Sequence, residues 1–205
     1  MATRETSPVV LRDIVLVSAT PLLLAGIGLV HPHSLTAATA EQWAGLHIWL
    51  LPVFPLLTLG LVVPLWGRPG RDVAGVATVV AWVAAFGYAA YYTGLDAVAG
   101  IAAGTVRHHA GAQPASGVGD LFRRGDALGE AGVYALAVAV LATAVALFPR
   151  HGARVMPGTV VLLAACWFFT DGHIFWPEGV FAMLGFALGF ALLAAMAPRS
   201  RPHSS

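Results

Sequence analysis

Three features of this sequence predict an all-α fold, a polytopic membrane bundle of six transmembrane helices. Hydrophobic residues fill 58% of the 205 positions and charged ones only 10%, at a mean hydropathy of +0.78, whereas soluble domains hold roughly 45–50% and about 25%. The apolar residues gather into six windows bounded by charge, Pro or Gly, and about 20 of them suffice for a helix to cross a hydrocarbon core of about 30 Å. The basic residues, finally, concentrate on alternate connections between those windows.

The first window, Ile14 to Val30, follows Arg4 and Arg12. Ala38-Thr39-Ala40 has the small-residue character of a signal cleavage site, but it lies well past a long apolar run, so retention as a span is expected. The second window, Leu46 to Trp66, contains Pro52, Pro55 and Pro64, each of which removes a backbone donor and invites a bend. The third runs from Val73 to Leu95.

The connection from Asp96 to Asp126 is the one with room for structure of its own. Its apolar stretch Ala97 to Val106 is too short to span, which predicts a short interfacial or re-entrant helix, or an extension of the third span above the membrane. Gln113 to Gly119 reads as a Pro/Gly/Ser loop, and Asp120 to Arg124 as an amphipathic turn on the headgroups. The last three spans are expected at Ala127 to Phe148, Val155 to Phe175 and Val180 to Met196. Gly185-x-x-x-Gly189 in the sixth is a close-packing surface for a neighbouring helix. The spans leave no length for a soluble domain, so residues 1–205 form a single transmembrane domain.

All eleven basic residues are Arg, and Arg-rich connections stay cytoplasmic. Arg4, Arg12, Arg68, Arg71, Arg150, Arg154, Arg199 and Arg201 fall on one side together with both termini. That arrangement predicts N and C termini in the cytoplasm of a cell-membrane protein, and leaves Arg107, Arg123 and Arg124 outside. A net charge of +1 gives no basis for a nucleic-acid partner. A single Cys excludes a disulfide framework or a thiolate zinc cluster.

Histidine and carboxylate concentrate on the predicted outer side. One or more stand at the outer end of nearly every span: His31 after the first, His47 at the start of the second, Asp96 ending the third, Glu130 opening the fourth, Asp171 and His173 closing the fifth. Ionisable groups at membrane depth are costly unless paired, and a metal ion satisfies several imidazoles and carboxylates at once. His31, His47, Asp96, Asp171 and His173 are therefore the candidate metal ligands, with Glu130 as general acid/base. Asp171 and His173 sit in an aromatic belt from Trp167 to Trp176; two residues apart they diverge by about 200° on a regular helix, so both reach one cavity only if Gly172 loosens the turn. Tyr88, Tyr92 and Asp96 share a face of the third span.

Imidazole and carboxylate suit zinc or iron first, with copper(II) or manganese possible. The expected function is a metal-dependent membrane enzyme, hydrolase or oxidoreductase, acting on a lipid or other amphiphilic substrate at the outer leaflet. The alternatives are a metal-ion or proton transporter, a haem-binding subunit with His47 and His173 as axial ligands, and a non-catalytic assembly subunit. A transporter would need polar groups through the inner halves of the spans, where the sequence offers mainly Ser18, Thr20, Thr58, Thr78, Thr143 and Thr159.

Overall fold

The computed structural model describes residues 8–196; Arg4, Arg199 and Arg201, part of the basic side, lie outside the described residues. The described chain is helical, with no strand. Eight α-helices follow in order: α1 (Pro8–Gly28), α2 (Ala40–Leu50), α3 (Leu59–Val62), α4 (Val73–Leu95), α5 (Ala103–Ala110), α6 (Val118–His151), α7 (Met156–Gly172) and α8 (Glu178–Ala194). They group into six helical units, because α2 and α3 are pieces of one broken rod and α5 continues α4.

Three runs are long and apolar enough to cross a membrane: Val10–Gly28, Val73–Ala110 and Val118–Gly172. The last contains both α6 and α7, joined through the 3-10 turn Gly152–Val155. The pair Ala40–Leu50 and Phe54–Leu65 adds a fourth, bent by 41°. Pro52 lies in the break and Pro55 and Pro64 in the two 3-10 segments, where their missing N–H groups cannot close α-helical bonds. The apolar helix Glu178–Ala194 is shorter.

The connection after α4 neither turns back nor separates from it. Residues Asp96–Ala102 form a π-helical stretch leading directly into α5, so Val73–Ala110 is one helical run of 38 residues. At 1.5 Å per residue this is about 57 Å, longer than the roughly 30 Å hydrocarbon core, and the extra turns form a hairpin with the start of α6. The expected interfacial or re-entrant helix is thus replaced by the extension, and Asp120 to Arg124 belong to the first turns of α6 rather than to a separate element. Continuity costs less here than a reversal, because a turn would leave backbone donors unmet that the helix satisfies.

α6 packs along α4, and α8 packs against both α1 and α7. Gly185 and Gly189 form the α8 surface against α7: a side chain at Gly185 would press on Ala165, and one at Gly189 would enter Leu162. The core is aliphatic and aromatic, with Leu24, Leu61, Leu136, Phe186 and Phe190 fully enclosed, while a ring of Leu, Val, Phe and Trp is exposed on the perimeter. Apolar residues both inside and outside are what a bundle surrounded by lipid requires.

Candidate metal centre

Three helix ends and one turn bring His31, His47 and His173 together. One ring nitrogen of each lies within 4.8 Å of the other two. The ring centroids are 5.1 Å apart for His31 and His47, and 6.1 Å apart for each of them to His173. His31 and His47 are buried, and His173 is partly so.

Each imidazole is placed by a different local device. His31 follows the end of α1, and its Nδ1–H donates to the Pro32 carbonyl at 2.8 Å. His47, in the last turn of α2, donates from Nδ1–H to the Trp43 carbonyl at 2.7 Å. Carbonyl oxygens only accept, so both rings carry the proton on Nδ1 and keep a lone pair on Nε2. His173 shares a 2.6 Å hydrogen bond between Nδ1 and the Tyr92 hydroxyl. The Nε2 atoms of His31 and His173 are buried and have no hydrogen-bond partner, and orphaned buried polar atoms are uncommon enough to require an explanation.

His173 reaches the group through backbone geometry. α7 ends at Gly172, and His173 adopts φ 44 and ψ −122, in the turn closed by the Phe175 N–H on the Gly172 carbonyl at 2.8 Å. Positive φ is costly for a residue with a Cβ and is concentrated at functional sites. Here it swings the imidazole inward while Asp171, still on the helix, stays exposed.

The π-helical stretch supplies the opposite wall. The Trp43 indole N–H donates to the Ala99 carbonyl at 3.1 Å, which fixes α2 against it. Gly100 lies so close to the His47 ring that any Cβ would occupy the imidazole's space. The imidazole is therefore gripped from two sides, by the Trp43 carbonyl and by the π-helix backbone.

The histidines border a cavity of about 670 Å³ whose lining includes His47 and His173. Glu130 and Asp171 stand on the same lining, with Glu130 accepting from the Tyr134 hydroxyl at 2.6 Å. Of the expected ligands, then, three form the close group, and Asp171 lies on the cavity wall outside it. Asp96 is fully buried, neither oxygen has a hydrogen-bond partner, and it belongs neither to the close group nor to the cavity lining. His108 and His109 end α5 on its exposed side.

The residues that hold the histidines were the harder part to see in the sequence. Tyr92 was legible as sharing a face with Asp96, but its bond to His173 spans 81 positions and leaves no local signature. The Trp43 carbonyl is a backbone group, yet the i, i+4 spacing of Trp43 and His47 on a helix was a usable signal.

This donor set suits a transition metal. Neutral imidazoles with Nδ1 bonded to oxygen and Nε2 free are the usual state of histidine ligands, with the oxygen fixing ring orientation and raising basicity. Nitrogens at about 2.0–2.1 Å from a tetrahedral ion lie about 3.4 Å apart, so from separations within 4.8 Å ligation asks each pair of nitrogens to close by up to about 1.4 Å. Burial holds His31 neutral, its pKa lowered to about 4 by desolvation and, to a lesser extent, by His47 and His33, against the opposing hydrogen bond to Pro32. No family model, curated protein or solved structure matches this chain.

Proposed function

We propose that this protein is a cell-membrane enzyme that holds a divalent transition metal on His31, His47 and His173, at the extracytoplasmic end of a six-span bundle with both termini in the cytoplasm. The observation that carries the reading is the close group of three imidazoles, each with Nδ1 engaged by an oxygen and Nε2 left over. Three histidines and an open fourth position are the ligand arrangement of catalytic zinc, which lowers the pKa of a bound water to about 7. Iron is the second choice, then copper(II) or manganese. The cavity beside the histidines takes the substrate, a lipid or other amphiphile, and Glu130 on its wall moves the proton as general acid/base.

Two observations favour a site over the alternatives. A haem held between His47 and His173 needs room for a porphyrin around the line joining the rings, and the His31 imidazole stands beside both, 5.1 Å from His47 and 6.1 Å from His173 between centroids. A conduit needs polar groups free to face a path, yet the hydroxyls of Thr78, Thr143 and Thr159 are bonded back to their own helices through the Ala74, Ala139 and Val155 carbonyls.

Metal analysis of protein purified without chelator tests the reading. About one transition-metal ion per chain is expected in the wild type. His47→Ala should lose it, while Glu130→Gln and His108→Ala should keep it, the former without turnover. A wild type that stays metal-free after supplementation overturns the proposal.

A further inference from the structure

The cavity beside the histidines has a charge and a wall composition that select among amphiphiles. Its lining carries three carboxylates, Asp126, Glu130 and Asp171, and no Arg. Asp126 and Asp171 make no hydrogen bond or ion pair with any described residue; the nearby Arg123 is taken by Asp120. His173, whose buried Nε2 has no partner, shares the lining. Even with a divalent ion on the histidines, three carboxylates leave the lining net negative, so an anionic ligand would meet like charge here and a cation would neutralise it.

The same lining is also aromatic. Trp43, on the lining, stacks on Phe175 at 6.0 Å between centroids and meets Phe122 edge to face, also at 6.0 Å. All three rings line the cavity. Carboxylates and aromatic rings lining one cavity are the groups that hold ammonium and quaternary ammonium ions, through charge and the ring quadrupole together.

The acidic part of the lining continues along α6 into an exposed apolar surface. On α6, Asp126 and Glu130 head a row that continues one turn on with Tyr134, Val138, Leu141 and Val145. These four are 59%, 49%, 50% and 48% exposed and fall at helical spacing on one face. The Tyr134 hydroxyl bonds to Glu130, so the acidic rim and the apolar row are continuous. A molecule with its head among the carboxylates would lay a hydrocarbon tail along that row.

We propose that the cavity binds an amphiphile with a cationic ammonium head group, the head between the carboxylates and Trp43 and the tail on the outer face of α6. This rests on the reading of the cavity as a substrate site and names the class of substrate.

Native mass spectrometry of the full chain, released from uncharged maltoside micelles, reads retention of dodecyltrimethylammonium against dodecyl sulfate. Wild type should retain one dodecyltrimethylammonium at least tenfold more than dodecyl sulfate. The double variant Glu130→Gln with Asp171→Asn should lose at least tenfold of that retention, and Asp126→Asn, at a third exposed position, should lose a smaller part. Equal retention of both probes by wild type, or undiminished retention by the carboxylate variants, overturns the assignment. His108→Ala, at the exposed end of α5 and off the cavity lining, should retain the cation as wild type does. Cation retention in protein that proves metal-free would sustain the head-group assignment while refuting the metal; bound metal without cation selectivity would do the reverse.

Discussion

Tyr92 and His173 stand 81 residues apart in sequence and share a 2.6 Å hydrogen bond between the phenol oxygen and Nδ1, with their rings nearly parallel at 15°. Tyr92 is itself fixed by Phe169, stacked at 4.8 Å, and by Phe54 at 4.7 Å. The third histidine is therefore oriented by a residue buried in the middle of the bundle. Outer-sphere partners of this kind set the tautomer and direction of a ligating imidazole.

Tyr92→Phe follows from that relationship as the most selective test of it. The ring packing on Phe169 and Phe54 survives, and only the oxygen is lost. Metal affinity, measured by competition with a chelator of known strength, should fall about 10–100-fold, with the helical content unchanged. An affinity equal to wild type would mean that Tyr92 does not orient the ligand.

His173 offers a separation of backbone from side chain. At φ 44 glycine is at ease and alanine is strained. Both His173→Gly and His173→Ala remove the imidazole, so both should lose the metal, but the glycine variant should be the more stable by about 1 kcal/mol. Thermal unfolding in detergent compares them. Greater stability of the alanine variant would refute the strained turn.

The six helical units could be read from the sequence because apolar windows of membrane length have few other uses, and Pro52 and Pro55 marked the bend in the second. That His31, His47 and His173 share one end of the bundle was equally legible, since chain position relative to the windows sets how far along a helix each one sits. Direction around the helix axis was not. Asp171 is two residues from His173 and at nearly the same depth, yet the end of α7 at Gly172 sends one inward and leaves the other exposed. Asp96 does follow the end of α4, but nothing in Asp96 to Ala102 signals a π-helical stretch, and it is that stretch which sets Gly100 against the His47 ring. Contacts with backbone carbonyls at Trp43 and Pro32 depend on folded geometry alone.

The pH response of the metal-free protein follows from His31, which lies in the turn after α1. Its folded pKa is lowered to about 4 from an ordinary 6.5, chiefly by burial. A group depressed in the fold binds its proton more readily when unfolded. Its contribution to stability is therefore complete above about pH 6.5 and is lost as pH falls from there towards 4. The unfolding temperature should be lower at pH 5 than at pH 7.5, and His31→Gln should shrink that difference. Bound metal should leave over the same interval, because protons compete for the same nitrogens. An unfolding temperature that rises on acidification would contradict the buried neutral imidazole.

The side of the membrane on which the cavity opens is fixed by the orientation of the bundle, and Arg68, Arg71, Arg150 and Arg154 mark the end opposite to it. Basic connections remain in the cytoplasm, so the connection between α3 and α4 should be inside and the one between α5 and α6 outside. Cysteine accessibility reads this directly, on a Cys166→Ala background that removes the one native thiol, itself buried. Gly70→Cys, beside Arg71 ahead of α4, should resist a membrane-impermeant maleimide added to intact cells and react once the cells are opened. Ala115→Cys, in the loop between α5 and α6, should react in both. His173 lies at the same end of α7 as the α5–α6 loop lies of α6, so labelling at position 115 reports the side reached by the histidines and the acidic cavity. Protection at 115 together with labelling at 70 would place the cavity at the cytoplasmic face, and a substrate drawn from the outer leaflet would then be ruled out.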